Sequence, residues 1–130
     1  MTEAEAIEYI IDRGEFYDLS FDDVINMIPR VLHDDLTECA EFLEMRHISH
    51  ILPQSTHPEL ANDPSNMILE EPGANLSRGA EPMSEAEELI AILDNEVLAT
   101  QIDGEIPLPV DDPTVVIDLI PDYIPILGIA

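Results

Sequence analysis

Four prolines, at positions 53, 58, 64 and 72, fall within one stretch running from Arg46 to Ala80. A proline inside a helix removes a hydrogen bond and clashes with the preceding turn, so no long helix can cross this region. His47 to Leu52 alternates weakly and predicts a strand, as does Asn66 to Leu69. Helical signals lie on both sides. Thr2 with Glu5 makes a capping box ahead of Ala4, Ile7, Ile10 and Ile11, and Arg13-Gly14 reads as that helix's end. Ser20 opens a second helix, with Asp22 and Asp23 at its positive end and Val24, Ile25 and Ile28 as its apolar stripe, until Pro29 breaks it. Asp35 with Glu38 caps a third, with Leu36, Cys39, Ala40 and Leu43 inward.

Beyond the proline-rich centre, Ser84 with Glu87 caps a further helix, in which Ala86, Leu89, Ile90, Leu93 and Val97 recur at three- and four-residue spacing. From Thr100 the pattern breaks. Asp103-Gly104 signals a turn, Pro107, Pro109 and Pro113 stiffen the next segment, and Val115 to Ala130 is strongly apolar. The expected fold is therefore α+β: mostly helical, with a small β-hairpin in the middle and an extended apolar C-terminal tail. Residues 1–100 form one domain, comprising N-terminal helices within 2–46, the central segment 46–80 and a helix over 84–99. A Pro-rich tail covers 101–130. The chain's 130 residues suffice for one domain with a real core.

Charge constrains function more than fold. Twenty-nine acids face four arginines, with no lysine, for a formal charge of −25. Nucleic-acid affinity comes largely from Lys and Arg displacing counterions from phosphates, so this balance disfavours nucleic acid and points to a basic protein partner. Cys39 is the single cysteine, which excludes an intrachain disulfide and a cysteine-based zinc site; among apolar neighbours it reads as a core residue. The acidic N-terminus lacks the basic start of a secretion signal, and no run of eighteen apolar residues predicts a transmembrane helix. The expected location is cytoplasmic or virion-associated. An apolar tail left free would aggregate, so the tail is expected to be buried in a partner or on the domain.

The central stretch also carries chemistry. Hydrolysis of a phosphodiester at a one-metal site needs a neutral imidazole to take a proton from water, a hard cation, oxygen donors to hold that cation, and an amide to orient the imidazole. Ser49-His50-Ile51-x-Pro53-x-Ser55, then Asp63-Pro64-Ser65-Asn66, then Asn75-x-x-Arg78-Gly79 resembles the HNH family of ββα-metal nucleases over 46–80. The resemblance implies a hairpin followed by a helix. It makes His50 the general base, Asn66 the amide that orients it, Asn75 a helix-borne metal ligand, and Arg78 a phosphate contact, with Mg²⁺ or Mn²⁺ as the cofactor. Two features depart from the family. Its usual Asp or His before the base is here Ser49, a poor ligand beside a carboxylate, for which His47 on the same strand face could substitute. And there is no lysine to line a basic groove.

The remaining histidines read differently: His57 as an exposed loop residue, His33 as a cap at a helix end. Residues 118–128, Asp-Leu-Ile-Pro-Asp-Tyr-Ile-Pro-Ile-Leu-Gly, are similar to the signature of a small bacterial, membrane-associated helical family, a likeness that implies no chemistry. Three functions stand as expectations. One is an HNH-like nuclease or its inactive derivative. A second is an acidic module that binds a basic protein as a nucleic-acid mimic or inhibitor. The third is a small structural subunit of a larger, phage-like assembly, docked through its tail.

Overall fold

The computed structural model describes residues 1–104, and in it the proline-rich centre is a two-stranded antiparallel sheet framed by helices. The expectations for the tail, including the motif at 118–128, lie outside the described residues. In chain order the elements are α1 (Glu3–Glu15), α2 (Phe21–Met27), α3 (Leu36–Glu44), β1 (His47–His50), β2 (Met67–Glu70), α4 (Pro72–Arg78) and α5 (Glu85–Asp103). Single 3-10 turns sit at Arg30–Leu32, Pro58–Leu60 and Pro64–Asn66. The architecture is α+β, as the sequence implies. No described helix is long and apolar enough to cross a membrane.

The caps form as the sequence predicts. Thr2, Ser20 and Ser84 each accept a hydrogen bond from the backbone N–H three residues on, and the acid at that position accepts one from the cap backbone. Asp35 accepts from the Thr37 and Glu38 amides at the start of α3. The apolar faces of these helices then close over one core. Ala6 and Ile10 of α1, Val24 of α2, and Cys39, Ala40, Phe42 and Leu43 of α3 are buried there with Ile48, Met67 and Leu69 of the hairpin and Ala99 of α5. His33 donates from Nε2 to the Ile28 carbonyl, 2.6 Å away, at the end of α2. That is the capping role its position suggests.

Three expectations about the helices need correction. Helix α1 does not stop at Gly14; it runs to Glu15, and Gly14 is a buried helical residue. A Cβ there would lie 2.9 Å from both the Leu19 carbonyl oxygen and Val24 Cγ2, so the glycine serves close packing against the α1–α2 turn. The left-handed residue of that turn is Asp18, at φ 59°. Helix α5 does not break at Thr100 but continues through Asp103, where Gly104 at φ 77° closes it. Its inward face is also only in part the expected one, with Val97 buried as expected and Leu89 and Leu93 half-buried. Ala91, Asn95, Val97 and Ala99 are buried, while Ala86 is exposed and Ile90 is 58% exposed. The reason is that β2 is met by small and polar side chains: Asn95 donates to the Leu69 carbonyl at 2.7 Å.

Candidate functional site

Strand β1 pairs with β2 in the register His47↔Glu70, Ile48↔Leu69, Ser49↔Ile68 and His50↔Met67. Helix α4 comes directly after, with Pro72 in its first turn and the Glu71 carboxylate accepting from the Gly73 and Ala74 amides. Those bonds hold the Glu71 carboxyl below its ordinary range. Strand, strand and helix thus succeed one another over residues 47–78.

His50 is half-buried at the end of β1. Its Nε2 lies 2.7 Å from the Ala61 carbonyl oxygen. A carbonyl can only accept, so Nε2 carries the proton, and in the neutral ring Nδ1 is left as the basic nitrogen. The Tyr17 ring meets His50 edge-on at 5.7 Å between centroids. His50 lines a cavity of about 460 Å³ together with Tyr17, Gln54, Asn62, Asn75 and Arg78.

Asn66 is 6% exposed and works on the loop rather than on the histidine. Its Oδ1 accepts from the Leu52 N–H at 2.9 Å, and its Nδ2 donates to the Leu52 carbonyl at 3.0 Å. The amide therefore clamps the start of the 51–66 loop to its end. The group that fixes the His50 ring is the Ala61 carbonyl, which that loop presents.

The residues at the metal-ligand and phosphate positions form a different arrangement from the expected one. Ser49, 1% exposed, donates its hydroxyl hydrogen to Glu70 Oε1 at 2.7 Å and accepts from Asn75 Nδ2 at 2.6 Å. Arg78 grips the same Glu70 carboxylate with both terminal nitrogens, Nη1 at 3.2 Å from Oε2 and Nη2 on Oε1, and Nη1 also reaches Glu87 Oε2 on α5 at 3.3 Å. The Arg78 and Glu70 side chains are only 6% and 3% exposed. The Glu70 hydrogen bonds hold the Arg78 guanidinium above its ordinary basicity. Arg78 thus pairs its charge with two carboxylates of its own chain. His47 is exposed and lines a second hollow with Asp12, one that shares Tyr17, Ile48 and Asn75 with the first. Among the described residues no group of three or more His, Cys, Asp or Glu is placed to hold a metal ion.

The structure therefore brings Ser49, Asn75 and Arg78 into one bonded group and sets His50 on the cavity beside it. Asn66 and His47 stand apart from that group. His57, half-buried, pairs its Nδ1 with the Thr56 hydroxyl at 2.9 Å. Glu70, Tyr17 and the Ala61 carbonyl were not singled out by sequence, and Glu87 was named only as a helix cap. One signal existed for Glu70: an acid ending an apolar strand, eight residues before one of only four arginines. No protein-family model matches the chain, and neither a curated protein nor a solved structure matches it.

Proposed function

We propose that this protein is an acidic protein-binding module, built on an HNH-like hairpin and helix that does not act as a nuclease, and that its partner is a basic protein. The observation that carries this reading is the direction of the arginines. Arg13 donates to the Leu43 and Arg46 carbonyls at 2.8 and 2.9 Å. Arg46 pairs with Asp94 at 2.7 Å and lies over the Phe42 ring. Arg78 is held by Glu70 and Glu87. Arg30 remains as the exposed arginine among the described residues. The positive charges thus go to internal fastening, and the surface left to a partner is anionic. Such a surface repels phosphate backbones and attracts the lysine- and arginine-rich surfaces that bind them.

The test is a titration of the full chain with a basic DNA-binding protein, read by calorimetry at two salt concentrations. Tight binding at about 50 mM NaCl that weakens by an order of magnitude or more at about 300 mM supports the reading, because the attraction of exposed charges is screened over that range. The variant H50A should bind as the parent does. Binding that is absent at the lower salt rejects it.

A second reading, a phosphodiesterase, draws on His50. Its ring is locked with Nδ1 as the basic nitrogen, at the edge of a cavity large enough for a substrate group. That reading requires nicking of supercoiled plasmid by the full chain with Mn²⁺ or Mg²⁺, abolished in H50A.

A further inference from the structure

Glu70 presents a physical problem that the chain solves with its own side chains. A carboxylate at 3% exposure must be neutralised or coordinated, since an isolated buried charge is prohibitively costly. A hard divalent ion with oxygen ligands is one solution. Here the carboxylate instead receives a bidentate guanidinium and a hydroxyl hydrogen.

We propose that Arg78 is the resident cation of the hairpin–helix unit, balancing the buried Glu70 carboxylate in place of a divalent metal, so that the unit is assembled without one. The ligand set that the resemblance implies does not fit a metal. Ser49 has given its hydrogen to Glu70 and a lone pair to Asn75. Asn75 turns its donor Nδ2 toward that hydroxyl. His47 is exposed and shares only an open hollow with Asn75. Arg78, by contrast, does the linking work a bridging ion would do: from α4 it binds Glu70 at the end of β2 and Glu87 in the first turn of α5. The guanidinium fork matches a carboxylate at two points and carries its charge at every relevant pH.

The consequence is that removing the guanidinium leaves the Glu70 and Glu87 carboxylates facing the space it vacates, a pair of anionic oxygen donors suited to a hard cation. The test uses the full chain and its variants R78A, R78K and the double variant E70Q/R78A, with Mn²⁺ and Ca²⁺ as probes. Thermal unfolding and manganese electron paramagnetic resonance are the readouts. In the parent, millimolar Mn²⁺ should give no saturable one-to-one site and only the gradual rise in Tm that any salt gives. R78A should melt lower, and one equivalent of tightly held Mn²⁺ or Ca²⁺ should restore part of the loss. E70Q/R78A should show no such restoration, which separates the site from the general acidity of the surface. R78K should keep its Tm closer to the parent and take up no ion. If R78A fails to fold even with metal present, E70Q/R78A, which removes the uncompensated charge, should fold, and its failure would overturn the proposal. A stoichiometric Mn²⁺ site in the parent that is lost in N75A or H47A would also overturn it. Neither result bears on binding of a basic protein, which is measured separately.

Discussion

Asn66 occupies a position from which one amide satisfies both backbone groups of Leu52, and this fixes where the Ala61 carbonyl and hence the His50 ring sit. Asn66→Ala strands that N–H and C=O and should cost about 1–3 kcal/mol, the usual penalty for buried polar groups left unpaired, as read by urea unfolding. Asn66→Asp keeps the acceptor but sets a charge against the Leu52 carbonyl, so it should not rescue. Cys39 offers a pH test. It is fully buried, with its Sγ–H directed at the Leu32 carbonyl, and burial among neighbouring acids pushes its thiol up to about 11. An unfolded thiol ionises lower, so above its unfolded pKa the unfolded state binds fewer protons and stability must fall as pH rises. Stability from this thiol is complete below about pH 8.5 and declines from there to about 11. Alkylation should be slow in the folded chain and fast in urea. A C39A variant that shows the same alkaline decline would refute the assignment. At this scale Cys39 and His33 were legible because their partners, Leu32 and Ile28, are local in the chain. The Glu70–Arg78–Ser49–Asn75 group was hidden because its members meet only after the hairpin and helix fold together.

Among the elements, helix starts were legible and helix faces were not. Caps are local chemistry, written within four residues, and every Ser, Thr and Asp cap named from sequence forms. Which stripe of α5 turns inward depends on the hairpin it meets, and the aliphatic pattern of Leu89, Ile90 and Leu93 misdirects because the actual contact is made by Ala91, Asn95 and Ala99. Substitution on the two stripes should therefore differ. Ile90→Gln should change stability by no more than about 0.5 kcal/mol, as at ordinary surface sites. Ala99→Leu, at a fully buried position, should cost about 1–3 kcal/mol through overpacking. Chemical denaturation of both decides it, and the reverse order would place the helix the other way round. Gly14→Ala sets two effects against each other. Helix propensity favours alanine by about 1 kcal/mol. Against that, the new methyl meets backbone, the Leu19 carbonyl, at 2.9 Å and cannot push it aside without opening the α1–α2 turn. The clash should win, and the variant should melt below the parent.

The whole molecule is governed by its charge. With −25 formal charges on 130 residues and three arginines drawn inside, self-repulsion opposes the folded state. Raising NaCl from about 20 to about 500 mM should therefore raise Tm, the opposite of what surface ion pairs would give, because screening weakens repulsion over these distances. The same field is what the proposed basic partner would meet. Composition alone indicated a basic protein, but only the fold shows that three of the few cations are engaged internally and that the hairpin–helix unit is closed by Arg78. The most direct measurement joins these points: a labelled DNA duplex bound to a basic protein, titrated with the full chain in low salt and Mn²⁺, and read by both electrophoretic mobility and fragment length. An acidic binding module should release the duplex intact, in the parent and in H50A alike. A duplex that is cut by the parent and spared by H50A, or one that stays bound, would contradict it.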